Sequence, residues 1–239
     1  MSDLPFVSIC TPTYNRREYF NIAIKCVEWQ EYPKDKIEWI IVNDGQEEIE
    51  DILNLARKTR DLPTIKYYKY NEKMNIGLKR NICNQYATGD IIINMDDDDY
   101  YPSTRISHAV NKLLENPKIY CVGISRLYVY FKEYDSITIL GPLSNNHACT
   151  GSLAFKKDLL KITKYNDEDK NAEEKYFLKD YNLPVLHLDS LKTIIALTHN
   201  CNTSFNDKRS VNSKSAVLLD KEKIEDYIQD EEILKLWKL

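Results

Sequence analysis

Along the first hundred positions, short apolar runs alternate with amphipathic stretches. Phe6-Val7-Ser8-Ile9-Cys10 is mostly apolar and stops at Thr11-Pro12-Thr13, which predicts a buried strand ending in a loop. Phe20, Ala23, Ile24 and Val27 fall at i, i+3, i+4 and i+7, one stripe of a helix that runs to about Gln30 and is ended by Pro33. Ile37 to Val42 reads as a second strand closed by Asn43-Asp44-Gly45, and Ile49, Ile52, Leu53 and Ala56 repeat the helical stripe. A third strand is expected at Ile65 to Tyr70. A helix from about Gly77 to Ala87 then leads through Thr88-Gly89 into a fourth strand, Asp90 to Met95.

Strands and helices alternating at this spacing imply right-handed crossovers, hence an α/β fold with a mostly parallel sheet covered on both faces. Ligands in such sheets bind beyond the strand carboxyl ends. Three polar turns lie at that edge: Thr11 to Arg17, Asn43-Asp44-Gly45, and the acid run Asp96-Asp97-Asp98-Asp99 directly behind the fourth strand. They are expected to converge on one cleft.

Beyond residue 100 the alternation is lost. A helix from about Ser103 to Glu115 is predicted, with Ser103 as cap and Asn116-Pro117 as stop. Shorter β-like runs follow at Ile119 to Ser125, Leu127 to Lys132, Ile137 to Leu140, Ser152 to Lys156, Val185 to Leu188 and Thr193 to Leu197, read as a smaller mixed C-terminal extension. Phe177 to Tyr181 is expected to end a helix, and a last helix is expected at about Lys221 to Trp237. No internal repeat or interdomain linker is visible, so residues 1–239 read as a single domain.

Composition narrows the chemistry. With 239 residues and a net charge of −4, the chain can bury a sizeable core and has no general basic field, so nucleic acid is not an expected partner. The six cysteines (Cys10, Cys26, Cys83, Cys121, Cys149, Cys201) form no close CxxC pair and several sit in apolar runs, which argues against a zinc ribbon and for a reducing, cytoplasmic location. The opening MSDLPFVSIC is too short an apolar run for a signal peptide, and no stretch approaches a transmembrane segment.

Taken alone, a charge run is a solvated loop. Four adjacent carboxylates at the end of a buried strand instead call for a cation. An EF-hand loop beginning at Asp96 would need Gly and Glu where Tyr101 and Ser107 stand. Mg²⁺ or Mn²⁺ bound together with substrate phosphates fits better. The turn after the first strand lacks the glycines of a dinucleotide site, and no Walker-type GxxxxGK occurs. Tyr14 offers an aromatic face for a base, and Asp44 an acceptor for a base or ribose donor.

VSICTPTYNRREYFNIAIKCVEWQ, IEWIIVNDG and GLKRNICNQYATGDIIINMDDDD, in this order, resemble the nucleotide-sugar-binding half of GT-A glycosyltransferases, closest to the inverting family-two type. The resemblance covers residues 6 to about 105. Asn43 replaces the usual first acid of the second turn, and Lys79-Arg80-Asn81 replaces A-R-N.

The resemblance implies residues 1–105 as the donor half and 106–239 as the acceptor half. Pro12, Tyr14, Asp44, Arg80, Asp96 and Asp97 would bind the nucleotide sugar, with a UDP-sugar as expected donor and a glycan or other hydroxyl as acceptor. Asp96 and Asp98 would be the acids of D-x-D and ligate Mn²⁺ or Mg²⁺, and His199 would complete the metal shell. Glu174, in Ala172-Glu173-Glu174-Lys175, would be the general base. His147 would line the sugar or acceptor pocket, and Lys208 and Arg209 would close over the diphosphate. Two other readings stay open: a sugar-phosphate nucleotidyltransferase, whose glycine- and arginine-rich loop is absent, and a nucleotide- or carbohydrate-binding module without a base.

Overall fold

The computed structural model describes residues 4–199, 202 and 215–238. The first half follows the predicted alternation: β1 (Val7–Thr13), α1 (Phe20–Glu28), β2 (Ile37–Asn43), α2 (Glu50–Thr59), β3 (Thr64–Lys69), α3 (Ile76–Tyr86) and β4 (Ile91–Asn94). Next come α4 (Arg105–Glu115), β5 (Cys121–Gly123), β6 (Leu127–Phe131), β7 (Ser136–Leu140), β8 (Ala154–Lys156), α5 (Glu174–Phe177), β9 (Leu186–His187), β10 (Ile195–Thr198), β11 (Ala216–Leu218) and α6 (Glu231–Lys238).

Among the described residues the strands form two sheets. The larger has the order β3-β2-β1-β4-β8-β5-β9, parallel from β3 through β4 and antiparallel at β4–β8 and β8–β5. The smaller runs β10-β6-β7-β11. The β-like runs of the second half supply this smaller sheet, while β5, β8 and β9 widen the main one.

Alternate residues of the central strands feed two cores, which is why these strands read as continuous apolar runs. Val7, Ile9, Trp39, Ile41, Ile91 and Ile93 face α1, α2 and α4. Cys10, Ile40, Val42 and Ile92 face α3 and the α5 region, where Cys83 and Phe177 are buried. The strand order reverses between β1 and β4, so the crevice at their carboxyl ends is the topological switch point.

Several expectations are corrected. β1 does not stop at Cys10: pairing with β2 carries it to Thr13, and Pro12 falls where β4 has already ended and its missing N–H breaks no ladder on that side. Ser103 does not cap α4. The helix starts after Thr104 without a side-chain cap, and the Ser103 hydroxyl donates to Glu31 at 2.6 Å. The segment to Tyr181 is not helical, because Lys179, Asp180 and Tyr181 all take left-handed backbone (φ 52°, 54° and 60°) after α5 has ended. The last helix is two pieces: Ile224–Asp226 is a single 3-10 turn, and Asp230 Oδ1 starts α6 afresh by accepting the N–H groups of Glu232 and Ile233. β11 was not among the expected strands, although Ala216-Val217-Leu218-Leu219 is a short apolar run.

Candidate functional site

Three turns meet at the carboxyl edge of β1, β2 and β4, and side chains lock them together. Asn15, with φ 49°, points its Oδ1 at the N–H groups of Gln46 and Glu47 (2.7 and 3.3 Å), tying the first turn to the second. Gly45 is required at this crossing, since a Cβ there would lie 2.5 Å from the Asn15 backbone nitrogen. Asn43, which stands where the resemblance expects an acid, holds the second turn: its Oδ1 accepts from Gly45 N–H (2.8 Å) and its amide donates to Glu47 O and Tyr67 (3.0 Å each).

Asp44 is fully buried. One of its oxygens accepts from Lys79 Nζ at 2.7 Å and the other from Met74 N–H at 2.6 Å, leaving each oxygen a second acceptor position. Tyr14 is half-buried beside it, with the Lys73 and Lys79 ammonium groups 4.4 and 5.6 Å from its ring centre. Pro12 is buried within β1.

The four acids divide their roles. Asp96 pairs with Arg80 through both oxygens (3.0 and 3.2 Å), and Arg80 Nε in turn reaches Glu173 at 2.7 Å. Tyr101, fully buried, fixes the start of the loop by accepting Asp96 N–H at 2.7 Å. Asp99 turns inward, accepting Leu197 N–H at 3.0 Å and so joining the loop to β10. Asp98 Oδ2 receives Arg16 Nη1, His199 Nε2 at 2.9 Å and the Asn202 amide at 3.1 Å. Asp97 is buried with Oδ1 3.6 Å from Arg16, and its Oδ2 has no hydrogen-bond partner.

Electrostatics follow from these partners. Burial pushes the Asp97 carboxyl up to about 7 against the pull of Arg16, and Asp98 raises it further. Asp99 is also driven well up, first by burial and then by Asp98 and Asp96. Asp98 is the exception: burial opposes its charge, but Arg16 and His199 together hold its carboxyl below the ordinary value.

His199 is brought to Asp98 from the end of β10, and Tyr19 stacks on its imidazole (centroids 4.0 Å apart, planes 19°). Asp98 and His199 are thus together, as expected of metal ligands, whereas the Asp96 carboxylate faces Arg80. Among the described residues no group of three or more His, Cys, Asp or Glu is drawn together into a metal cage. The donor set suits an open site: carboxylate and imidazole from the protein, a buried Asp97 oxygen still lacking a partner, and the remaining ligands left to phosphate oxygens.

Glu174 lies across the Thr150–Ser152 turn from the acids. Its Oε2 accepts from the Thr150 hydroxyl at 3.1 Å, its Oε1 from Tyr181 at 3.3 Å, and His147 Nε2 is 3.9 Å away. Gly151, next in the same turn, packs so close to Asp96 that a Cβ would meet Oδ2 at 2.9 Å. Burial raises the Glu174 pKa, with Glu173 adding to it and the Thr150 and Tyr181 hydroxyls opposing. His147 is near this carboxylate, and its Nδ1 is buried without a partner.

Sequence reasoning missed four contributors. Arg16 and Tyr19 belong to the first turn, and their only signal was their place at the sheet's carboxyl edge. Glu173 was overshadowed by its neighbour. Arg105 gave no signal: fully buried on α4, it donates from Nη2 to Ser152 O and Leu153 O (2.7 and 3.1 Å), clamping the Thr150–Ser152 turn, and burial lowers its pKa to about 10. Lys208, Arg209 and Cys201 lie outside the described residues.

Comparison with known proteins bears on the family and the fold. The sequence model described as Glycosyl transferase family 2 matches residues 8–170. An uncharacterized glycosyltransferase of Haemophilus influenzae is 30% identical over 116 residues, 48% of this chain and 44% of that relative. The crystal structure of Staphylococcus aureus TarS 1-349 in complex with UDP-GlcNAc aligns with a TM-score of 0.66 at 19% identity, covering 82% of this chain and 59% of that one. The mannosyltransferase PcManGT from Pyrobaculum calidifontis, in complex with GDP-Man and Mn²⁺, aligns at 0.65 and 16% identity, covering 82% and 57%. The chain spans less than two thirds of each of these proteins, and at these identities the structural likeness establishes the fold.

Proposed function

The chain belongs to glycosyl transferase family 2, and on that premise we propose that it transfers a sugar from a nucleoside-diphosphate sugar, a UDP-sugar first, to an acceptor hydroxyl with inversion. The observation that carries this reading is the Thr150–Ser152 turn, which has the acid loop against one side and a buried, proton-attracting Glu174 against the other.

Tyr14 and Asp44 meet the base and ribose, with Lys79 beside both. Pro12 and Arg80 shape the diphosphate end, Arg80 by holding Asp96 in place. Glu174 takes the acceptor hydroxyl's proton as that oxygen attacks the anomeric carbon and the bond to the diphosphate breaks. The raised Glu174 pKa makes it a better base than an exposed glutamate, and Thr150, Tyr181 and His147 fix its direction. Asp98 and His199, with Asp96 and Asp97 beside them, would hold Mn²⁺ or Mg²⁺, which supplies charge stabilisation to the departing nucleoside diphosphate.

Residues 1–105 act as the donor half and 106–239 as the acceptor half in this scheme. A cytoplasmic setting is part of the same proposal. It is supported by the five cysteines among the described residues, all free and four of them buried, and by the lack of any helix among those residues long and apolar enough to cross a membrane.

Calorimetry with UDP or GDP, with and without Mn²⁺, followed by nucleotide release from a panel of UDP-sugars, tests the reading. UDP binding that needs Mn²⁺ and is lost in Asp98→Ala is the expected result. Glu174→Gln should bind UDP normally yet turn over about 10²–10⁴ times more slowly. Absence of UDP binding, or binding indifferent to Asp98→Ala, defeats the proposal. Metal-dependent binding without any transfer or release, unchanged by Glu174→Gln, identifies a binding module instead.

A further inference from the structure

Arg16 stands where a cation would be wanted. Its Nη1 bonds Asp98 Oδ2 and lies 3.5 Å from His199 Nε2 and 3.6 Å from Asp97 Oδ1, so one guanidinium nitrogen occupies the point where two carboxylates and an imidazole converge. A divalent ion on Asp98 Oδ2 and His199 would need that same point. A guanidinium nitrogen and a divalent ion cannot share one point, and like charges brought that close repel strongly in a partly buried setting, so both cannot stay.

The backbone around Arg16 is fixed. Asn15 is tied to the second turn, Arg17 N–H donates to Glu47 at 3.0 Å, and the Arg17 guanidinium grips Asp51 through two 2.6 Å bonds. Tyr19 and Asn202 hold His199 and Asp98 independently of Arg16. Relief can come only from the Arg16 side chain swinging away, while the acid–imidazole pair stays in place to receive the ion.

We infer that Arg16 is a tethered cation that stands in for the divalent ion, is displaced when the ion binds, and then serves the donor's phosphates. Guanidinium is the side chain best matched to phosphate oxygens, and the turn that carries it ends the strand beside the acid loop. The inference rests on the metal-dependent donor reading above. It makes a thermodynamic statement: metal and nucleotide raise each other's affinity, and part of that coupling runs through Arg16.

The test uses the full chain and two probes, Mn²⁺ alone, followed by the electron paramagnetic resonance of free ion, and UDP by calorimetry with and without Mn²⁺. Arg16→Gln should bind Mn²⁺ alone at least about tenfold more tightly than the parent. Its Mn²⁺–UDP coupling factor should fall about fivefold or more, within the usual span of such couplings. Arg17→Gln removes the same net charge one residue away at an exposed ion pair, and should change Mn²⁺ affinity less than twofold, roughly the scale of a screened surface charge. Arg16→Lys, which keeps a point charge, should fall between parent and Arg16→Gln, and carries the test should the glutamine variant misfold. Mn²⁺ affinity unchanged or weakened in Arg16→Gln, or raised equally in Arg17→Gln, overturns the inference. If the parent binds Mn²⁺ through Asp98 but Arg16→Gln is indifferent, only this inference falls. If neither binds Mn²⁺ even with UDP, the metal reading falls with it.

Discussion

At one end of the acid loop Asp96 meets Arg80, at the other Asp98 meets Arg16, and the two arginines are held in opposite ways. Arg80 projects from a helix, is 5% exposed, and is gripped from behind by Glu173, so its charge is answered on two sides. Arg16 hangs from a turn, and among its partners are Asp98, Asp97 and His199, groups an ion would claim. Two pairs of the same chemistry therefore differ in kind: one joins α3, the acid loop and the α5 region, and the other is a contact made to be exchanged.

The sharpest way to break this comparison is to remove each arginine and measure urea unfolding. Arg80→Met leaves the buried Glu173 and the partly buried Asp96 without a cation, and stability should fall by about 3–5 kcal/mol. Arg16→Gln leaves Asp98 with His199 and Asn202, so the loss should stay near that of one hydrogen bond to a charged group, about 2 kcal/mol. Equal losses in the two variants would mean that Arg16 is as structural as Arg80.

A second contrast sets the acids beside Glu174, which no arginine among the described residues touches. Because burial and Glu173 raise its pKa, Glu174 becomes protonated, and useless as a base, at a pH above the ordinary glutamate range. Below that point kcat should drop about tenfold per pH unit. Tyr181→Phe removes a hydroxyl that favours the charged carboxylate, so the acidic limb should move to higher pH. A limb that does not move in Tyr181→Phe would detach Glu174 from the rate.

How much of this was legible in the sequence tracks the distance over which each feature is built. β1 through β4 are set by local apolar runs, and the turns at their ends are set by Asn, Asp and Gly, so the switch point and the placing of Asp44 and the Asp96–Asp99 run at its edge could be read directly, whereas the choice of Asp96 and Asp98 within that run came from resemblance. The assignment of β5, β8 and β9 to the main sheet could not, since three-residue strands such as Ala154–Lys156 carry no period of their own and are recruited by β4. For the same reason Arg105 was invisible: an arginine inside an amphipathic helix reads as a solvated position, and only the arrival of Ser152 O and Leu153 O makes it a clamp. The meeting of His199 with Asp98 was expected by resemblance, whereas the Arg16 contact that joins them depends on side-chain directions.

The opposite edge of the sheet supplies a control with no role in the site. Glu38 is 2% exposed and accepts from Ser8 Oγ (2.5 Å), Thr88 N–H (2.6 Å), Thr88 Oγ1 (2.9 Å) and Lys66 Nζ (2.5 Å). Burial alone would raise its pKa, but these bonds lower it below the ordinary value. A carboxyl depressed on folding contributes stability that is complete above its unfolded pKa and is lost as the pH falls through the folded one. Glu38→Gln should therefore cost about 2 kcal/mol near neutral pH, less at acidic pH, and leave UDP and Mn²⁺ binding untouched. Changed binding in this variant would show that the strand ends are not independent and weaken every assignment made from the loop variants.

The smallest effect tests whether the Asp98 end has any rigidity of its own. Tyr19 is nearly buried and stacks on His199, so Tyr19→Leu keeps apolar contact while losing the ring-on-ring interaction, worth about 1 kcal/mol. If that stack is what keeps the imidazole facing Asp98 once Arg16 has left, the loss should reappear as Mn²⁺ affinity lowered about fivefold, the equivalent of 1 kcal/mol. If the stack instead only packs α1, the same loss should appear in unfolding free energy with Mn²⁺ affinity unchanged. Arg16→Gln and Tyr19→Leu thus act in opposite directions on one measurement, the first emptying the place for the ion and the second loosening its imidazole wall. In the double variant the two should not simply add, because Arg16 and Tyr19 share His199 as a partner, one at Nε2 and one at the ring face, and the stack matters most once Arg16 is gone.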